Sequence, residues 1–443
     1  MKITYSKNKK MILYVLYSIL FTFLFLLYVN EKFSDNITSN FRLIFSHNEI
    51  TKVMSGLETS HFQENITTPD DPGFLLLYAL TSNMEGNSEV KVTSNPEDFP
   101  ISFKLIYLFM HLGFIYLFVF TNSKVIRFPT KIIALAFLIS PNLLSVFWGM
   151  DVYLFPIYTA IVSFYSIGEL KKQNLSKFKM ILCSGLSNVC EIFRKKSLLF
   201  LLPFLALLGL SKKLSLKSKF IYFVIFVVTS LSLNGLVGVV FKSHGHEVWH
   251  SLHAGLFEYG GCVGSRGESY PYFIFTKEEL TDKSLVYCQD HWNDMIQYKV
   301  AAQKGVTTHF SKEYNDILKN QLSEILLKYP SKVLSLVVMR FFNALSFIPV
   351  KEYTSAGALI DFNMYHLFES LFFLSIFFFW LIKEKEIERK ILFSSMLIVA
   401  LPAPLLIHSS HIIYNAPLHF IQVVIVAEFF GMCFSNRNKK GEV

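Results

Sequence analysis

The sequence predicts an all-α polytopic membrane protein with about ten transmembrane helices and two large extracytoplasmic loops bearing membrane-surface helices. Three observations predict it. Hydrophobic residues make up 52% of the 443 positions, 46 of the residues are Phe, and the mean hydropathy is +0.41, high for a soluble domain. Apolar runs approaching the ~20 residues that cross ~30 Å of hydrocarbon recur along the chain. The Lys and Arg behind a net charge of +9 fall in short clusters between those runs. That is the pattern of cytoplasmic anchoring, not of a nucleic-acid surface.

In chain order the expected spans are 11–29, 101–120, 131–148, 152–168, 179–193, 197–211, 219–241, 364–383, 390–408 and 412–433. The first follows a basic start (Lys2, Lys7, Lys9, Lys10) and lacks the small-residue cleavage site of a signal peptide, so it reads as a span. Basic clusters then occur at Lys124/Arg127/Lys131, Lys171/Lys172/Lys177/Lys179, Lys212/Lys213/Lys217/Lys219, Lys383/Lys385/Arg389/Lys390 and Arg437/Lys439/Lys440. With both termini in the cytoplasm, these spans put every cluster inside. A further span would break that parity. The apolar segment Lys332–Val350, with Arg340 at its middle, is therefore expected to lie along or dip into the outer membrane face. Just before it, Tyr314, Ile317, Leu318, Leu322, Ile325, Leu326 and Tyr329 recur at helical spacing. Ser311 suits the cap of that helix and Pro330 its end.

Residues 30–100 and 242–363 are thus expected outside, emerging from one architectural unit, 1–443. Abundant Phe, Ile, Lys and Asn fit a bacterial source, and hence an integral protein of the inner (plasma) membrane.

The polar groups at the outer ends are the candidates for chemistry. Asp70 and Asp71, in TTPDDPGFLLLYAL, place acid/base or metal-binding groups at a water–lipid boundary. Partial desolvation there raises a carboxylate's pKa, and two neighbouring carboxylates repel. The plainer reading is a turn that caps a helix over Phe74–Leu80. Asp35, in EKFSDN, is a rival. Asp151 falls in the short outer loop WGMD between the third and fourth spans. Arg194, Lys195 and Lys196 oppose the positive-inside pattern unless an anion outside holds them. A phosphate is such an anion, bound by an Arg fork or a Lys point charge; snorkelling to headgroups is the alternative.

In HGHEVWHSLHAGLFEYGG, His246/His250 and His250/His253 have same-face helical spacing, and His250, Glu258 and Tyr259 are candidates for substrate contact. His246-Glu247-His250 also matches a zinc-protease pattern, which would need a third ligand and an open water position. His408, His411 and Tyr414, in LIHSSHIIYNAP, mark the outer turn between the last two spans. Cys262 and Cys288 share one outer loop, where a disulfide is open to them; Cys183, Cys190 and Cys433 fall in spans as packing residues.

This arrangement resembles the GT-C superfamily of integral membrane glycosyltransferases: seven spans, a long first outer loop with an acidic motif, and a long outer loop with surface helices after span seven. The resemblance implies a catalytic Asp at Asp70 or Asp71, of which Asp71 precedes Pro72 and is the more committed to a turn. It implies a second acidic residue at Asp151. It also implies a basic residue followed by an apolar run with Pro, here Arg194 and Lys195 ahead of Pro203. His408, His411 and Tyr414 match a His/Arg–Tyr pattern near a Pro, here Pro417. One departure is that the acidic motif lies well beyond span one.

The implied activity is transfer of a sugar from a polyprenyl-phosphate donor to an extracytoplasmic lipid, glycan or protein acceptor, in cell-surface glycan or lipid modification. No cofactor is required by the resemblance, and a divalent cation stays open. A surface-polysaccharide polymerase of the O-antigen or capsule type and a lipid-linked sugar transporter are the alternatives. A transporter predicts ionisable residues deep in the spans.

Overall fold

The computed structural model describes residues 72–85, 100–138, 154–173, 175–194, 197–240, 248–256, 296–306, 311–346, 364–406 and 412–440. All secondary structure among them is helical. The chain divides into two compact units. The first comprises Met1–Ile66, Asp71–Phe241 and Ala427–Val443; the second comprises Thr67–Asp70 and Lys242–Val426.

The first unit contains α1 (Pro72–Met84), α2 (Ile101–Phe120), α3 (Phe128–Leu138), α4 (Leu154–Lys171) and α5 (Lys177–Phe193). A 3₁₀ turn (Ser197–Leu201), α6 (Leu202–Leu210) and α7 (Leu216–Val240) follow. The second half of α15 (Ile412–Lys440) completes it. α4 is its core: every residue from Leu154 to Leu170 except Tyr165 is buried, and α2, α5, the 3₁₀ turn and α6 all pack on it. A helix apolar on every side finds its place only where neighbours surround it. Gly168 lets the backbone of α4 approach Asn122, which a β-carbon there would meet at 3.0 Å. α7 is the opposite case. Leu216, Phe220, Phe223, Val228 and Leu231 are all exposed on it.

One end of this unit is rich in lysine. Lys131 is buried and its Nζ donates to Val119 O (2.8 Å) and to Thr121 O, closing the C-terminus of α2. Lys171 Nζ donates to Lys124 O at 3.4 Å. Glu169 accepts from Lys172 at 2.8 Å and from Lys179. Burial pushes the Glu169 carboxyl up, but hydrogen bonds and charges from the two lysines outweigh it and hold the group below its usual range. Tyr222 Oη, on the first turns of α7, donates to Leu175 O at 2.5 Å. Arg127 binds Glu428 of α15 through its backbone N–H and Nη1, both at 2.6 Å. The termini of α2, α4, α5 and α7 that carry or adjoin basic clusters thus meet at one end, and α15 joins them through Glu428.

The second unit contains α8 (Val248–Leu256), α9 (Ile296–Gln303), α10 (Lys312–Lys328), α11 (Pro330–Leu345) and α12 (Met364–Lys383). α13 (Ile387–Ala400), α14 (Pro402–Leu406) and the first half of α15 complete it. The expected cap of α10 is present: Ser311 Oγ accepts from Tyr314 N at 3.2 Å. Tyr314, Leu318, Leu322 and Ile325 form its buried stripe. Pro330 ends α10 by starting α11, since its missing N–H costs nothing at a first helical position.

The end of α11 is buried and its last carbonyls are capped from other helices. Gln422 of α15 donates to Leu345 O at 2.8 Å, and Ser370 of α12 to Phe342 O. Arg340 is buried, donates to Leu405 O at 3.4 Å, and is lowered by burial to about 10. The apolar run expected as one helix over 390–408 breaks at Leu401, because Pro402 lacks the N–H that would continue α13.

Among the described residues three helices are long and apolar enough to cross a membrane: Ile101–Phe120, Leu216–Leu233 and Ala416–Cys433. Phe128–Leu138 and Ser197–Leu210 are shorter apolar helices, and the expected span 11–29 lies outside the described residues.

Candidate functional site

The end of the first unit opposite the lysines is organised around Arg194. α5 stops there because Arg194 turns to extended backbone (φ −147°, ψ 109°) while its N–H still donates to Cys190 O. The Arg194 carbonyl then accepts from Ser197 N (3.2 Å) and Ser197 Oγ (2.7 Å), which makes a tight turn into the 3₁₀ helix. Glu191 accepts from Leu198 N at 2.9 Å, serving as the remote cap of that turn. Arg194 is half-buried in this turn.

α1 begins against the same place. A β-carbon on Gly73 would lie 3.0 Å from Ile192 Cγ2 and from the Phe193 ring, so only glycine lets the first turn of α1 close on the last turn of α5. At its other end α1 reaches the start of α2: Glu85 accepts from Ser102 N (2.8 Å) and Ser102 Oγ (2.7 Å), capping α2 from outside it. α1 therefore runs from the end of α5 to the start of α2, and Leu75, Tyr78 and Ala79 are buried along it.

Below the turn the packing is aromatic. Phe193 stacks on Phe155 at 4.5 Å and 10°. Phe155 meets Tyr158 edge-on at 5.4 Å, and Tyr158 stacks on Phe114 at 4.4 Å. Tyr158 Oη and His111 Nδ1 are 2.6 Å apart, both side chains fully buried. A lone His and a lone Tyr in apolar runs carry no pairing signal; only the packing of α2 on α4 unites them.

In the second unit, His250 and His253 share the face of α8 that the spacing predicts, and that face meets α10. His250 Nδ1 is 2.7 Å from Tyr314 Oη, and His253 Nε2 donates to Gln321 Oε1 at 2.9 Å. Burial lowers His253 to about 4, although the Gln321 hydrogen bond opposes the shift. Lys319 lies over the Trp249 ring at 5.5 Å. These groups dock two helices.

Asp35, Asp70, Asp71, Asp151, Lys195, Lys196, His246, Glu258, Tyr259, His408, His411, Cys262 and Cys288 lie outside the described residues, and Tyr414 falls in α15 with its side chain outside them. Cys183 and Cys190 are buried and free on α5. Among the described residues no group of three His, Cys, Asp or Glu is placed to hold a metal ion. No protein-family model, curated protein or solved structure matches the chain.

Proposed function

We propose that the protein is a membrane glycosyltransferase that moves a sugar from a polyprenyl-phosphate donor to an extracytoplasmic acceptor, working at the Arg194 end of the first unit. The observation that carries this reading is the abutment of Gly73 on Ile192 and Phe193. It sets the start of α1, entered from Asp71 through one peptide bond, against the turn that bears Arg194. A guanidinium fork suits the donor phosphate, and the N–H groups at the start of α1 favour the same charge. Asp70 or Asp71 would take the acceptor's proton as the new C1–oxygen or C1–nitrogen bond forms and the C1–phosphate bond breaks, releasing polyprenyl phosphate.

The topology that goes with it has about ten spans, both termini in the cytoplasm of a bacterial plasma membrane, and residues 30–100 and 242–363 outside. Two observations support it: the basic clusters at 124–131, 171–179 and 212–219 meet at one end of the first unit, and α7 carries apolar side chains outward where lipid would solvate them. The capped, buried end of α11 suits a segment that dips into the outer face without crossing.

The test is sugar transfer from a polyprenyl-phosphate donor by purified protein. At equal expression, Asp70→Asn or Asp71→Asn should lower the rate by ~10²–10⁴-fold, the usual loss for a general base, while Asp35→Asn should not. Arg194→Ala should weaken donor binding, with a fall in rate as well if charge on the leaving phosphate grows in the transition state. Full activity in both of the first two variants would reduce the pair to a helix-capping turn. A lipid-linked sugar transporter is the second reading, favoured by one observation: the ionisable pair His111–Tyr158 buried within the apolar helices. Loss of lipid-linked sugar movement in vesicles on His111→Leu, with Asp70→Asn and Asp71→Asn silent, would favour it.

A further inference from the structure

We infer that the lysine-rich end of the first unit is a binding surface for anionic phospholipid headgroups. Its cations fall into two groups. Lys131, Lys172, Lys179 and Lys219 are committed within the protein, to helix-terminal carbonyls or to Glu169. Lys177, Lys212, Lys213 and Lys217 are exposed and have no hydrogen-bond or ion-pair partner for their ammonium groups among the described residues. Between Glu191 and Glu247 the sequence has no acidic residue at all, so the last three have no acidic neighbour along the chain.

These four belong to one surface. Tyr222 Oη binds Leu175 O at 2.5 Å, joining the α4–α5 loop to the first turns of α7, and α5 packs along α7. On that surface the lysines alternate with apolar side chains held outward: Phe178 is 73% exposed, Leu216 83% and Phe220 66%. Alternation of this kind, at the end of an apolar helix, sets rings and branched chains at acyl depth and ammonium groups at the level of the phosphates. Clusters of lysine beside a span attract anionic lipid, and the attraction sums over the residues. Water alone would leave the three apolar side chains unsolvated; a zwitterionic headgroup would leave the four charges unmatched. An anionic phospholipid answers both.

The inference rests on the membrane placement proposed above and is independent of glycosyl transfer. The test uses the purified full-length chain in vesicles of phosphatidylcholine with and without phosphatidylglycerol, reading the thermal unfolding midpoint and the lipid retained on native mass spectrometry. Phosphatidylglycerol should raise the midpoint and be retained, and the preference should fall as salt screens it. The variant carrying Lys177→Gln, Lys212→Gln, Lys213→Gln and Lys217→Gln should bind phosphatidylglycerol at least about tenfold more weakly, while the four Lys→Arg changes should restore binding. Equal retention by wild type and the Gln variant would overturn the inference, and so would an equal midpoint shift from inorganic phosphate alone. If the Gln variant does not fold, the Arg variant and the salt series decide: a preference indifferent to salt overturns it. A chain that enters no vesicle of either composition refutes the membrane placement itself.

Discussion

At the lysine-rich end of the first unit, charge closes the structure: Glu428 holds Arg127, Glu169 holds Lys172 and Lys179, and helix-terminal carbonyls hold Lys131. At the Arg194 end, shape does the same work. Gly73 lets α1 press on Ile192 and Phe193, and Phe193 stacks on Phe155. The difference matters because an end locked by ion pairs has its carboxylates already engaged. An end assembled by ring stacking and a missing β-carbon sets a cation beside the start of a helix by packing alone.

The contrast is broken most sharply at Glu428, which is fully buried against Arg127. Removing one partner of a buried pair strands the other and costs ~3–5 kcal/mol. Glu428→Leu should lower the thermal unfolding midpoint markedly in detergent while leaving transfer per folded molecule unchanged. A comparable fall in the specific activity of the folded fraction would mean that the two ends are not separable.

Gly73→Ala probes the other end. Inserting a carbon 3.0 Å from two side chains should cost ~1–3 kcal/mol through overpacking. It should also reduce transfer beyond what that lost stability explains, because the start of α1 must shift away from Arg194. Activity tracking the folded fraction alone would count against the site.

A smaller, local effect is expected on α8, where hydrogen bonds made by His250 and His253 help dock the helix on α10. His253 sits at about 4 when folded, below its ordinary 6.5, so the undocked helix takes up a proton first. Docking is at full strength above about pH 6.5 and weakens as the pH falls towards 4. Trp249 fluorescence and hydrogen exchange in α8 should report that loosening, and His253→Gln should flatten it.

Much of the helical layout was legible because it depends on local signals. The apolar run from Ile101, interrupted by Lys104, reads as a helix and forms one, Ser311 reads as a cap and forms one, and Tyr314, Leu318 and Leu322 recur at helical spacing and are buried. Charge placement was partly legible: clustered lysines announce an end, though not which of them find partners. Pro402 is a visible signal in the sequence, and it divides the 390–408 run into two helices.

What the sequence determined by itself is the kind of solvent each segment needs, since hydropathy, capping and proline geometry act within a few residues. The tertiary structure alone decided which distant groups meet: Gly73 with Phe193, His111 with Tyr158, Arg127 with Glu428, Gln422 with the end of α11. Each of those meetings depends on how whole helices pack, and a helix's apolar pattern names a face to bury without naming the neighbour that will bury it.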